Sequence, residues 1–140
     1  MKLNTLLVTF LAISFIACNN EKDSVSPIDE NNLLLGYWSY RDFDENTTTF
    51  QRVGSLPDDE YGLFFKQQGV FIERKNPGWC GTPPVVLENF DGSWILKDDL
   101  LKIEVDDWMG SAEYTWKIIE LNKHELSIEV VTSNYINPDN

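Results

Sequence analysis

Cysteine, basic residues and histidine are all scarce in this chain. The 140 residues include two cysteines, Cys18 and Cys80, and one histidine, His124, and 11 Lys and Arg stand against 23 Asp and Glu, for a net charge of −12. Nucleic acids and anionic lipid surfaces attract basic clusters, so this balance argues against either as an electrostatic partner. Helical periodicity is also almost absent. We therefore expect no nucleic-acid binding and an all-β fold.

The first 17 residues have the three-part plan of an export signal. Met1-Lys2 gives a short basic start, and Leu6 to Ala17 is an apolar stretch broken only by Thr9 and Ser14. Twelve residues are too few to span a bilayer, which requires about 20 apolar residues. No later apolar run is long enough either. The chain is thus predicted to be exported and not to span a membrane.

The string Phe15-Ile16-Ala17-Cys18 resembles the bacterial lipobox, with small Ala17 before the acylated cysteine. The resemblance implies a lipoprotein signal peptide over 1–17, lipidation at Cys18 by chains such as palmitate, and attachment to the membrane through this N-terminal lipid. Removing 1–17 removes one Lys and no acid, which leaves 10 basic and 23 acidic side chains and a net charge of −13. Only Cys80 then remains, so no internal disulfide is expected.

Residues 18–32 comprise the lipidated cysteine and a polar stretch that predicts a flexible tether. Within it, Glu21-Lys22-Asp23 resembles the surface-export signal of some Gram-negative lipoproteins. The expected location is the outer membrane of the bacterial cell envelope. The sequence is compatible with either the periplasmic or the surface face of that membrane.

Residues 33–140 have the size of one domain, and short apolar runs alternate in it with turn residues every 8 to 12 positions or so. In the hairpin around Gln68-Gly69, Leu63 and Phe65 are followed by Val70 and Ile72 as the alternating apolar positions. The predicted strands are 36–43, 47–53, 61–67, 70–75, 85–89, 93–97, 101–105, 114–118 and 126–130. This pattern predicts a small up-and-down β-barrel of about eight strands. A sandwich is the alternative, although the Cys-Trp-Cys spacing of immunoglobulin domains is missing.

Gly36-Tyr37-Trp38, at the start of the first strand, looks like the Gly-x-Trp motif of lipocalins, and Gly92-Ser93-Trp94 is a second copy that would begin a later strand. The chain resembles bacterial lipocalin-like lipoproteins, a small calycin-type barrel family. It lacks that family's Thr-Asp-Tyr string, and no arginine follows Arg74 to stack on the tryptophan. The resemblance implies a non-enzymatic domain that binds a small hydrophobic ligand or none.

Aromatic side chains are the candidate binding residues. Trp38, Phe65, Trp94 and Trp116 lie on predicted strands, where they would either fill the core or contact a ligand. The Trp79-Cys80 loop could instead cap the barrel as a lid or present an anchor to a partner, and Trp108 would lie at another loop tip. An interaction or protease-inhibitory module that uses the Trp79-Cys80 loop against an extracellular protein is therefore the alternative function.

No cofactor or metal site is predicted. Cys80 and His124 could in principle form a thiol nucleophile, but nothing else in the sequence supplies an orienting residue or an oxyanion motif. Acidic pairs such as Asp98-Asp99 and Asp106-Asp107 lack the spacing of a calcium loop and fit turns on an acidic surface. We expect no enzymatic activity.

Overall fold

Alternating apolar and polar residues form eight antiparallel strands. The structure, a computed structural model, describes residues 31–78 and 86–137. The strands are β1 (Gly36–Asp44), β2 (Thr47–Val53), β3 (Gly62–Phe65), β4 (Val70–Lys75), β5 (Glu88–Lys97), β6 (Leu100–Asp107), β7 (Gly110–Leu121) and β8 (Glu125–Ile136). A short 3-10 turn, Gln67–Gly69, joins β3 to β4, and both Gln68 and Gly69 have positive φ there. The predicted all-β class is confirmed.

The eight strands close into a barrel in the order β1-β2-β8-β7-β6-β5-β4-β3, with β3 hydrogen-bonded back to β1. Closure leaves no unpaired sheet edge. The barrel has two ends. We call the end where β1 begins the closed end and the end where β1 finishes the open end.

One connection departs from simple up-and-down order. β2 and β3 pair with opposite edges of β1, so residues 54–61 must pass across that strand. They pass over its outer face, because outward-facing Ser39 is fully buried and donates a hydrogen bond to Glu60 Oε2 at 2.6 Å. A Cβ atom on Gly62 would lie 2.7 Å from Leu56 Cδ2, so glycine gives this crossing segment room against the sheet.

Two details of the strand prediction were wrong. The sequence pattern predicts separate strands at 85–89 and 93–97, but Glu88–Lys97 is continuous, and Gly92 lies inside it rather than at the start of a strand. Glycine is required there because a Cβ atom would collide with the carbonyl oxygen of Glu104 on β6. In β4 the alternation has the opposite phase, since Val70 is 41% exposed and the buried residues are Phe71 and Glu73. A shift of one residue moves every side chain to the other face.

Aromatic and aliphatic side chains fill the barrel toward its closed end. Phe65 packs against Phe71 and edge-on against Trp94, with ring centroids 5.0 Å and 5.8 Å apart. The buried hydrophobic residues are Leu34, Trp38, Phe50, Leu63, Phe65, Phe71, Leu101, Ile103, Val105, Ala112, Tyr114, Trp116, Leu126 and Ile128. Burial of this apolar surface is the main source of stability in a fold without a disulfide among its described residues.

Arg52 and Trp38 seal the closed end. The Trp38 indole donates to the carbonyl oxygen of Leu34 at 2.8 Å, and the Arg52 guanidinium lies 4.1 Å from the centre of the Trp38 ring. Arg52 also donates to the carbonyl oxygens of Leu35 at 2.6 Å, Lys123 at 2.8 Å and Leu33. The arginine that stacks on the tryptophan is therefore Arg52 of the neighbouring strand, and not an arginine late in the chain. Burial lowers the pKa of Arg52, but that pKa stays far above neutral pH, so the guanidinium remains charged.

Candidate functional site

The inward rows of β4 and β6 change from apolar to polar near the open end. On β4 the inward side chains run from Phe71 to Glu73 and Lys75, and on β6 the buried Leu101, Ile103 and Val105 are followed by Asp107. Because residues two apart share a face of a strand, these polar groups meet inside the barrel mouth. We call Glu73, Lys75 and Asp107, with the hydroxyls of Tyr61 and Tyr114, the ion cluster.

Lys75 lies at the centre of the ion cluster. Its Nζ donates to Asp107 Oδ2 at 3.0 Å and contacts Tyr114 Oη at 3.5 Å, and it lies 2.9 Å from Glu73 Oε2. Tyr61 Oη donates to the other oxygen of Glu73, Oε1, at 2.6 Å. The side chain of Glu73 is only 3% exposed. A carboxylate buried this deeply requires a cation beside it, and Lys75 supplies one.

One oxygen of Glu73 is incompletely satisfied. Lys75 Nζ is close enough to Oε2 to form an ion pair, but the angle is poor for a hydrogen bond, and Oε2 accepts none from the described residues. The ammonium directs its hydrogen bonds at Asp107 and Tyr114 instead. Glu73 Oε2 therefore retains capacity to accept one.

Burial and neighbouring charges hold the protons of the ion cluster in place. Burial alone would lower the pKa of Lys75, but Glu73 and Asp107 together outweigh it and raise that pKa above 10.5. Burial first, and then the charge of Glu73, raise the pKa values of the Tyr61 and Tyr114 hydroxyls above 10. At neutral pH the lysine is thus an ammonium and both tyrosines are neutral hydrogen-bond donors.

Above the ion cluster, a groove of about 440 Å³ opens to solvent. We call it the mouth groove. Its polar lining comes from Lys75, Asn76, Asp107, Ser111 and Asn137. Its apolar lining comes from the β6–β7 turn and the end of β8, through Trp108, Met109, Tyr135 and Ile136. The volume falls within the roughly 300–1,000 Å³ that small-molecule sites occupy.

Local contacts orient the Trp108 ring at the rim of the mouth groove. Asp107 Oδ1 accepts a hydrogen bond from the Trp108 backbone N–H at 2.8 Å, which fixes the start of the turn. Gly78, with φ of +92°, packs its backbone against the indole, where a Cβ atom would collide with the ring. Even so, Trp108 remains 58% exposed and Tyr135 71% exposed. Two large aromatic surfaces thus face solvent beside a buried charge cluster.

The inner faces of β1 and β8 are also exposed toward the open end. Val130 pairs with buried Trp116, and Phe43 pairs with Thr48, which in turn pairs with buried Ile128. Directly paired residues point to the same face, so Phe43 and Val130 point inward, yet both are more than half exposed. The barrel is filled at its closed end and accessible at its open end.

Most of the aromatic residues singled out in the sequence belong to the core. Trp38, Phe65 and Trp116 are buried, and Trp94 packs against the core while its indole donates to the carbonyl oxygens of Lys66 and Val70. None of these four lines the mouth groove. Among the predicted binding residues that lie in 31–78 and 86–137, Trp108 is the one that lines it.

The remaining predicted residues lie elsewhere. Cys18, Trp79 and Cys80 fall outside the described residues, so the lipidation site and the Trp79-Cys80 loop stay predictions. His124 lies in the β7–β8 turn at the closed end, exposed to solvent. Residues 31–78 and 86–137 contain no group of three or more His, Cys, Asp or Glu side chains placed to hold a metal ion.

Sequence reasoning missed Glu73, Lys75, Tyr61 and Tyr135. The segment Val70–Lys75 contains a usable signal. The positions that alternate with Val70 and Ile72 carry Phe71 and then two charged residues, Glu73 and Lys75. Aromatic side chains outrank valine in apolar area, so Phe71 takes the core position and places Glu73 and Lys75 inside.

Comparisons with known proteins add no relative: no family model, curated sequence or solved structure matches this chain. In the part of the chain that the structure describes, no helix is both long enough and apolar enough to cross a membrane. The function is therefore inferred from the barrel itself.

Proposed function

We propose that this chain is a lipid-anchored, non-enzymatic binding protein of the bacterial cell envelope, and that it holds a small ligand in the mouth groove. The observation that carries this proposal is the exposure of Trp108 and Tyr135 in a groove of about 440 Å³ whose floor is the ion pair of Lys75 and Asp107. Toward the closed end the interior is occupied by packed side chains. The ligand site is thus at the mouth rather than deep in the barrel.

The groove offers a ligand two kinds of contact. Trp108, Met109, Tyr135 and Ile136 provide an apolar surface, and covering about 100 Å² of such surface contributes roughly 2.5 kcal/mol. Lys75 and Asp107 provide a polar end that fixes orientation. A few polar groups beside an apolar wall are typical of small-molecule sites.

The anchor is proposed from the lipobox-like string that ends at Cys18. It is compatible with a free mouth groove, because the chain enters the barrel at the opposite end. The carbonyl oxygens of Leu33 and Leu35 are bound there by Arg52. A tether leading to the outer membrane from that end leaves the groove unobstructed.

A non-enzymatic role is supported by the protonation of the ion cluster. Catalytic lysines are activated by a lowered pKa, whereas the pKa of Lys75 is raised by Glu73 and Asp107 despite its burial. The hydroxyls of Tyr61 and Tyr114 are likewise held in their neutral forms. These groups are suited to hydrogen bonding rather than to nucleophilic attack.

The binding proposal is tested by native mass spectrometry of the full-length protein extracted from its own membranes. We expect a co-purifying small molecule that is retained by the wild type and by Ile95→Ala, an exposed control on β5, and lost from Trp108→Ala. A protein free of any small-molecule adduct would overturn the proposal. An adduct retained equally by Trp108→Ala would move the site away from the groove.

The anchor has its own test. Metabolic labelling with an alkyne fatty acid should label the wild type, and Cys18→Ser should abolish the label and release the protein from the membrane fraction. Cys80→Ser serves as the matched control and should be labelled normally. Label that survives in Cys18→Ser would refute lipidation at this residue.

A further inference from the structure

The floor of the mouth groove already holds one ammonium group. Lys75 Nζ lies between Glu73 and Asp107, 2.9 Å and 3.0 Å from their nearest oxygens. Two aromatic rings flank it, with centroids 5.1 Å away for Phe90 and 6.0 Å away for Tyr114. Carboxylates combined with aromatic rings within about 6 Å are the surroundings in which proteins recognise organic cations.

We propose that the mouth groove selects organic cations, namely an alkylammonium group carried on a compact apolar body. This proposal depends on the proposed binding function and names the class of ligand for the same groove. The ligand's ammonium binds Asp107 beside Lys75, and its apolar body covers Trp108 and Tyr135.

Charge balance favours a cation over an anion. Glu73 and Asp107 are two acidic side chains beside the single cation of Lys75, which gives these three residues of the ion cluster a formal charge of −1. One further cation makes that formal charge zero. A ligand carboxylate would make it −2 in a partly buried setting, where like charges repel strongly, on a chain whose net charge is already −12.

Hydrogen-bond capacity points to the same ligand chemistry. Glu73 Oε2 lies 2.9 Å from Lys75 Nζ but accepts no hydrogen bond from the described residues, and a buried acceptor without a donor is unfavourable. A ligand ammonium can replace Lys75 as the donor to Asp107, and Lys75 can then turn on its flexible stem toward Glu73 Oε2. Ligand binding would thus relieve an existing deficit, which a ligand without N–H or O–H donors would not do.

The apolar lining is matched to a ligand that is more than a bare ammonium ion. Trp108 and Tyr135 are more than half exposed at the rim of the groove. An aromatic or aliphatic body placed there loses contact with water on one face. The exposed rings also attract the cation itself through their electron-rich faces.

The test uses the full-length protein in detergent and three probes of equal size: phenethylammonium, 2-phenylethanol and phenylacetate. Calorimetry and Trp fluorescence report binding at low ionic strength. We expect phenethylammonium to bind at least about tenfold more tightly than the alcohol. Hydrogen bonds to charged groups are stronger than neutral ones by a free energy that corresponds to about this factor in affinity. Phenylacetate should bind weakest of the three.

Matched variants locate the preference. Asp107→Asn keeps the oxygen that accepts from the Trp108 backbone N–H but removes one negative charge from the floor, so it should bring phenethylammonium and phenylethanol to nearly equal affinity. Asp98→Asn makes the same change of charge in the β5–β6 turn at the closed end and should retain the tenfold preference. Thermal unfolding of both variants shows whether each is folded.

Failure of this inference and failure of the proposed function look different. If the alcohol or phenylacetate binds as tightly as the ammonium, and Trp108→Ala abolishes that binding, the groove is a ligand site but its preference for cations is refuted. If none of the probes binds at millimolar concentration and the extracted protein carries no adduct, both proposals are overturned.

Discussion

The two ends of this barrel combine a basic side chain with aromatic rings in opposite ways. At the closed end, Arg52 stacks on fully buried Trp38. It also donates hydrogen bonds to the carbonyl oxygens of Leu33, Leu35 and Lys123. At the open end, Lys75 pairs with side-chain carboxylates, and the neighbouring Trp108 and Tyr135 face solvent. Contacts to the protein's own backbone hold the fold, whereas charged and exposed groups remain available to another molecule.

The largest expected effect compares the two tryptophans. Trp38→Ala should lower the free energy of unfolding by about 3–5 kcal/mol, since it leaves a cavity in the core and deprives Arg52 of its ring. Trp108→Ala should change it by less than about 0.5 kcal/mol, because the side chain is mainly exposed. Urea denaturation followed by circular dichroism measures both. Similar losses in the two variants would contradict the division between the ends.

The next largest effect concerns the ion cluster. Lys75→Met should lower the free energy of unfolding by about 3 kcal/mol. This value is near the lower end of the cost of breaking a buried ion pair, because the Lys75 side chain is slightly exposed. Adding Glu73→Gln should recover part of that loss, since it removes the unpaired carboxylate.

The exposed pair of Arg41 and Glu125 is the control for this effect. Arg41→Met breaks an ion pair of 2.9 Å whose arginine side chain is 57% exposed, and it should cost less than about 1 kcal/mol. If Lys75→Met were as mild as Arg41→Met, the ion cluster would not be the buried network described here.

The smallest effect is a dependence on alkaline pH. The pKa values of Tyr61, Tyr114 and Lys75 are raised in the folded state, so their contribution to stability is complete below pH 10 and declines as pH rises past the unfolded values of 10.0 for tyrosine and 10.5 for lysine. Urea denaturation at several pH values from neutral to alkaline measures this decline.

Tyr61→Phe and Glu73→Gln should each make the decline shallower. Tyr61→Phe removes a titrating hydroxyl. Glu73→Gln removes the charge that, together with burial, raises the pKa of that hydroxyl. A stability that rises between pH 9 and 11 or so would have the wrong sign for three groups with raised pKa values.

Local patterns were sufficient to predict the β-class and most of the strands. The run from Tyr114 to Ile118 and the run from Leu126 to Val130 alternate strictly, so β7 and β8 were evident, although each extends further than the pattern. The crossing of β1 by residues 54–61 could not be predicted, since that segment has no periodicity and its position follows from barrel closure.

The candidate site was harder to predict than the fold. Val70, Phe71 and Ile72 are all apolar, so the sequence does not show which alternate residues of β4 point inward. The wrong choice places Glu73 and Lys75 on the outer face of the barrel. The arginine that stacks on Trp38 could not be predicted from local patterns either, because it is strand pairing that brings Arg52 of β2 directly opposite Trp38.

The position of β1 has a mechanical consequence. This strand is hydrogen-bonded along both edges, to β2 and to β3, and Arg52 ties the residues just before it to the β7–β8 turn. If Cys18 is acylated as proposed, tension on the tether would load β1 lengthwise, so that several hydrogen bonds on each edge would have to shear together. The strand that receives the pull is thus held along both edges against being drawn out.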